Sequence, residues 1–376
     1  MTQLTFFNLG NADTCLFELQ DGRRMLVDYA HQGSPEDKDD PRSDLPTLLR
    51  KDLVDADRDE YAVVAFSHLD TDHVQGASEF FHFDHAKKYQ GGERKKIEML
   101  WVPASAISEV GVDDDGRVIR EEARHRLKEG YGIRVFSRPE RLKDWLKANG
   151  LKVEDRASLF VDAGQLVRDF ALNVDGVEFF AHSPHAKRIN DRGVEDRNGD
   201  ALVFQARFLE SGSTTDVLMT ADVDHEVLAE IVDITRAKKN DDRLHWNVYK
   251  LPHHCSYKSI GPEKGKNQTV PTEQIKWLCE EQGEDLGYVI STSKPIPVKG
   301  TDEDDDVQPP HRQAANYYKN EVVDSSRFLV TMEHPNQLFP KPIVIKITGD
   351  GAYMKRLGGM GAAVAVSSSA PRAGRR

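Results

Sequence analysis

His68-Leu69-Asp70-Thr71-Asp72-His73 follows directly on the apolar run Tyr61-Ala-Val-Val-Ala-Phe66. The run reads as a buried strand, so the six residues after it form a short loop that aims four imidazole and carboxylate side chains from one rigid place. Mixed imidazole and carboxylate ligands suit zinc, manganese or iron, whereas an all-oxygen set favours magnesium or calcium, and thiolates a closed structural zinc site. The alternative is a polar turn whose Asp and Thr side chains bond local backbone.

The same arrangement recurs along the chain. Asp216-Val-Leu-Met-Thr-Ala-Asp222 reads as a strand with Asp222 at its tip, and Trp246-Asn-Val-Tyr-Lys-Leu-Pro252 as one that delivers His253-His254-Cys255-Ser256. Val177-Glu-Phe-Phe-Ala181 delivers His182-Ser-Pro-His185. A single histidine after a strand is usually a hydrogen-bonded surface residue, but four such strand ends in one chain point to a shared site.

In this order the motifs resemble the metallo-β-lactamase superfamily, and within it the soluble hydrolase domain of ComEC-like DNA-uptake proteins. Phe6-Phe-Asn-Leu-Gly-Asn-Ala-Asp13 followed by Asp21-Gly-Arg-Arg-Met-Leu-Val-Asp28 resembles that family's first hairpin, and His68 to His73 its His-x-Asp-x-Asp-His signature. Most other branches carry His where Asp70 stands. Asn198-Gly-Asp-Ala-Leu-Val-Phe204 is similar to the turn and strand before its Asp motif, Asp222 to that motif, and Pro252-His-His-Cys-Ser256 to its Pro-His-His-Gly-Ser loop, with Cys255 in place of glycine. The likeness spans roughly residues 4 to 345.

The resemblance implies an αββα sandwich, an α/β fold of four layers with an inserted helical segment. It also implies two divalent ions, Zn2+ or Mn2+. His68, Asp70 and His182 (His185 in reserve) would hold one, Asp72, His73 and either His253 or His254 the other, with Asp222 bridging. Two ions so shared sit about 3.5–4 Å apart and activate a water for attack without a covalent intermediate. Asp72 and Asp222 are then the catalytic carboxylates. Asp70 in place of imidazole hardens the first position toward manganese. Asp13, Asp28 and Ser67 are placed to orient the imidazoles.

With 376 residues, 38% of them hydrophobic, the chain can bury a substantial core. Its motifs are spread widely enough to read as one hydrolase domain over 1–355, with an insertion at about 82–155 and a disordered tail at 356–376. No apolar run approaches the ~20 residues needed to span a bilayer and no leader pattern opens the chain, so a cytoplasmic protein without a membrane contact is expected. Cys15, Cys255 and Cys279 are too few and too scattered for a disulfide framework.

A formal charge of −12 counts against a passive nucleic-acid-binding module. It counts less against a nuclease, whose acidic ligands are neutralised by bound ions. Lys250, Lys258, Lys264 and Lys266 flank the His253-His254 loop, and Lys187, Arg188 and Arg192 follow His182. Lys258, Lys264 and His311 are the candidate substrate contacts, although solvated loop charges read the same way.

Helices are expected over Leu45–Asp52, from Gly76 to Phe81, and over Arg120–Lys128, Pro139–Ala148 and Gln313–Lys319, with a strand at Met99–Val102. His82-Phe-Asp84-His85 imitates a ligand cluster but lacks a preceding buried strand and reads as structural. Gly300 to Pro310, with its acid run Asp302–Asp306, reads as a flexible, solvated loop. The leading function is a metal-dependent phosphodiesterase acting on DNA; the resemblance extends to bacterial defence effectors, for which a regulatory protein partner is expected. The rivals are a small-molecule hydrolase, acting on a cyclic nucleotide, phosphonate or lactone, and a non-catalytic scaffold, which would not need paired imidazoles and carboxylates.

Overall fold

A computed structural model describes residues 2–34, 36–37, 39–112, 114–187 and 196–355. Arg188 and Arg192 and the tail from 356 lie outside the described residues. Two sheets stack face to face. The first has nine strands in the order β15 (Gly351–Met354), β14 (Ile343–Thr348), β1 (Thr2–Phe6), β2 (Cys15–Glu18), β3 (Arg24–Val27), β4 (Glu60–Ala65), β5 (Lys96–Pro103), β6 (Ile133–Phe136) and β7 (Phe160–Val161). The second has six, in the order β13 (Phe328–Val330), β12 (Gly283–Ser291), β11 (Trp246–Lys250), β10 (Ser213–Met219), β9 (Val203–Glu210) and β8 (Val177–Ser183).

Three apolar layers follow from the alternation of side chains along the strands. Leu4, Phe6, Phe17, Val63, Trp101, Phe179, Phe204, Val217 and Val248 fill the space between the sheets. Outside the first sheet, Leu26, Val64, Leu100 and Val135 meet the helices Leu45–Asp55, Asp114–Glu129 and Glu140–Ala148. Outside the second, Leu218, Tyr249 and Val289 meet His225–Ala237, Glu273–Glu280 and Arg312–Tyr317. The layers are therefore helix, sheet, sheet, helix, the mixed α/β sandwich expected from the sequence. Among the described residues no helix is long and apolar enough to cross a membrane.

The stretch 82–155, read above as an insertion with a strand at Met99–Val102 and two helices, is knit into this plan. It supplies β5 and β6, which pair parallel to β4 and to each other, and its helices bury Val118, Ile119, Leu142 and Leu146 on the sheet. His82 bonds Asp84 at 3.1 Å, and His85 bonds Glu122 at 3.0 Å, itself paired with Arg126, so that cluster is internal scaffolding. The acid run is not simply solvated: Asp304 is buried, accepts from the Gly300 amide and pairs with Arg312 at 2.9 Å.

Strand polarity fixes where the loops go. β3, β4, β5 and β6 run parallel in one sheet and β10, β11 and β12 in the other, so the carboxyl ends of each set share one edge. Trp101 lies between the sheets with no exposed surface, its ring against Phe136, Phe170, Phe179 and Phe204. Trp101→Ala should cost about 3–5 kcal/mol in chemical denaturation through the missing burial and the cavity left behind. Trp101→Phe should cost much less.

Candidate metal centre

β4 ends at Ala65, and the motif loop after it is fixed through its backbone. Phe66 N–H donates to Trp101 O, Leu202 N–H to Ser67 O at 2.9 Å, and Asp13 N–H to Asp72 O at 2.9 Å. The short helix Thr71–Val74 then carries Asp72 and His73, with Tyr29 N–H bonded to His73 O at 3.0 Å. Residues from both sheets thereby hold one turn of chain, which is what a rigid ligand geometry requires.

His73 is the hub. Its Nδ1 is 2.9 Å from Asp28 Oδ2 and 3.8 Å from Asp13 Oδ2, while its Nε2 lies 3.3 Å from Asp222 Oδ1. Asp222 presents its other oxygen to His254 Nε2 at 3.5 Å, and Asp72 Oδ2 is 3.1 Å from the same nitrogen. His254 Nδ1 donates to Thr292 O at 2.7 Å, which leaves Nε2 as its ligand atom. Asp13, His73, Asp222 and His254, all buried, offer ligand atoms within 4.8 Å of one another.

Burial disfavours charge on His73, Asp222 and His254, yet the pocket overrides it. Against that burial, Asp222 and Asp28 raise the His73 imidazole well above its ordinary range, and Asp222 with Asp72 raises His254. Burial likewise opposes ionisation of Asp222, but His254 and His73 hold its carboxyl well below the usual range. Such a field, with the Nε2 of His73 and the Oδ1 of Asp222 buried and lacking hydrogen bonds, is that of a pocket shaped for a cation. Two imidazoles and two carboxylates fit a divalent metal in ligand type and number.

Behind the ligands, Asp28 accepts from Ser67 N–H and Oγ–H, both at 2.7 Å, besides bonding His73. Asp13, expected only to orient a histidine, pairs with Lys250, whose Nζ also lies 4.0 Å from Asp222 Oδ1. Lys250 is thus a buried counter-charge of the centre, where the sequence suggested a surface contact to phosphate.

The loop Pro252–Ser256 is strained. His253, His254 and Cys255 all take left-handed φ values of 47°, 52° and 65°, a conformation that costs an L-residue roughly 1–2 kcal/mol. His253 N–H donates to Ala221 O, His311 N–H to Cys255 O, and the His254 ring is held by Thr292. The strained turn puts His254, of the two adjacent histidines, into the centre. His253 stands aside, its ring 6.3 Å from that of His254.

Not every expected residue arrives. His68 packs its ring 4.0 Å from that of His73, with Nδ1 on Ser67 Oγ at 3.0 Å and Nε2 buried without a hydrogen bond. Asp70 gives one carboxylate oxygen to Arg197 at 2.9 Å, while the other lies 3.7 Å from His68 Nε2. His182 is elsewhere: Nε2 donates to Arg243 O at 2.8 Å, Nδ1 faces Thr235, and the ring lies against Phe180. The reason is strand alternation, which gives His182 the helix-facing side with Phe180 while Ala181 faces the sheet interior. His185 is not part of the four-residue cluster either.

Of the candidate substrate contacts, Lys258 is exposed, whereas Lys264 is tied down by the carbonyls of Asp304 and Asp306. His311 is buried and accepts from Tyr257 N–H. These latter two hold loops in place.

No protein family matches the chain, and no curated protein matches it significantly. Among solved structures, a diphosphatase of the PhnP family is 10% identical, with 77% of this chain and 85% of that one covered and a TM-score of 0.29. The metallo-β-lactamase SMB-1 bound to 2-mercaptoethanesulfonate is 13% identical over 65% of this chain and 78% of its own, with a TM-score of 0.31.

Burial lowers the His182 imidazole to about 4, below its ordinary value of 6.5. The unfolded chain then binds the extra proton between pH 6.5 and 4, so this residue removes stability as pH falls through that window. The loss amounts to roughly 3 kcal/mol in all. His182→Gln should flatten the dependence of the denaturation midpoint on pH between 7 and 4 relative to wild type; parallel curves would show that His182 is not the group responsible.

Proposed function

We propose that the protein is a metal-dependent hydrolase of phosphodiesters, with DNA as its substrate. One observation carries the hydrolase reading: His73 Nε2 and His254 Nε2 flank the buried carboxylate of Asp222 at 3.3 Å and 3.5 Å, and Asp72 Oδ2 meets His254 Nε2 at 3.1 Å. A scaffold gains nothing from such an arrangement, since buried carboxylates and imidazoles cost stability unless they serve each other or an ion.

His73, His254, Asp222 and Asp72 would hold the metal, and zinc and manganese both suit this donor set. When bound, the ion lowers the pKa of a water and polarises the phosphoryl oxygen. The chain's own residues do the rest. Asp28 and Thr292 fix the orientation of the two imidazoles through their Nδ1 atoms, so that Nε2 points inward. Asp72, about a third exposed where the other ligands are buried, faces the solvent side and is the group placed to accept a proton from an attacking water.

The preference for DNA rests on the ComEC-like pattern of the motifs and on the exposed Lys258 at the rim. Its side chain follows the His254 loop by four residues in a chain that is otherwise acidic.

Two experiments bear on this. Asp72→Ala and His73→Ala should each lower hydrolysis of a phosphodiester at least ~1,000-fold in saturating Mn2+ or Zn2+ while circular dichroism stays native; full activity in both would overturn the assignment. Lys258→Glu should weaken DNA cleavage and reduce the slope of log affinity against log salt by roughly 0.7–0.9 or more, as expected when one side chain no longer neutralises a phosphate. Hydrolysis of a small chromogenic phosphodiester should hardly change. Unaltered DNA cleavage would favour a small-molecule substrate.

A further inference from the structure

The loop after β4 offers ligand-type residues for two positions, and the two are not equally built. On the side of His73, the imidazoles of His73 and His254 flank Asp222, Asp72 lies 3.1 Å from His254 Nε2, and each imidazole has its Nδ1 held by an acceptor. On the side of His68, the donors among the described residues are His68 Nε2 and a share of Asp222. The third histidine is turned to the other face of β8, where its Nε2 donates to Arg243 O at 2.8 Å. Asp70 is 3.7 Å from His68 Nε2, but its carboxylate is paired with Arg197, and Arg197 is in turn clamped by the largely buried Glu109. A catalytic ion takes three protein ligands as a rule, and among the described residues this side supplies fewer while already holding a fixed cation.

We propose that the centre binds a single ion, at His73, His254, Asp222 and Asp72, and that the guanidinium of Arg197 serves as the second positive charge. Arg197 neutralises Asp70 and stands beside the centre, where a planar, permanently charged fork is suited to the oxygens of an anionic substrate. Glu109 is the positioning residue: it holds the guanidinium at Asp70. This inference rests on the metal-hydrolase reading above but differs from it in what would overturn it.

The test is metal stoichiometry of the full chain, stripped of metal and reconstituted with Mn2+ or Zn2+, by native mass spectrometry and elemental analysis. Wild type should hold one ion per chain. His68→Ala and Asp70→Asn should keep that ion, whereas His73→Ala and Asp222→Asn should lose it. Arg197→Ala, which frees Asp70, should take up a second ion at Mn2+ concentrations where wild type takes one. Two ions in wild type, falling to one in His68→Ala, would overturn the single-ion centre and leave the hydrolase reading standing. No ion in wild type would overturn both. One ion in Arg197→Ala at every concentration would refute the role of Arg197. Arg197 is a partly exposed residue, so its loss is compatible with folding, and Asp70→Asn gives the independent readout.

Discussion

Asp13, Asp28 and Asp222 sit almost fully buried at the edge of the space between the two sheets, and the need to neutralise them shapes everything around them. An isolated carboxylate in that setting would cost several kcal/mol or more, so each must have a partner. Asp28 has the Ser67 amide and hydroxyl and the His73 ring; Asp13 has Lys250; Asp222 lies between His73 and His254 with Lys250 behind it. Two of these partners are imidazoles whose remaining nitrogens point inward. The surplus of negative charge suits the pocket to a cation.

The same constraint accounts for the backbone strain. Three successive left-handed residues would not persist in a free loop, but here the carbonyl of Ala221, the amide of His311 and the carbonyl of Thr292 each fix one of them. The turn they impose brings His254 to Asp222. Cys255, buried beneath it, takes a conformation that glycine would adopt without cost, so the departure from the Pro-His-His-Gly-Ser pattern alters the energy of the loop more than its path.

Asp70 and Arg197 show a different solution to the same electrostatic problem. Where the buried carboxylates rely on imidazoles and a lysine, Asp70 lies near the surface and is met by an arginine from the segment before β9, with Glu109 from the segment after β5 on its far side. Charge at the centre is thus offset in part by groups from distant segments of the chain.

The apolar runs before His68, Asp222 and His253 were legible as strands because such runs, stopping at ligand-type residues, have one physical reading, and the helices expected over Leu45–Asp52, Arg120–Lys128 and Pro139–Ala148 stand in the structure as Leu45–Asp55, Asp114–Glu129 and Glu140–Ala148. Asp72, His73, Asp222 and the pair His253-His254 were legible for the same reason. What the residues could not show was orientation. His182 looked like a ligand because it ends a strand, yet a one-residue difference in register decides which face it takes. Lys250 and Lys264 read as surface charges because their long side chains reach partners far away in sequence, at Asp13 and at the carbonyls of Asp304 and Asp306. The sequence alone determined that imidazoles and carboxylates gather at strand ends in an α/β sandwich. Only the tertiary structure decided which of them meet, because that depends on how two sheets from distant parts of the chain are stacked and on which side of each strand a residue stands.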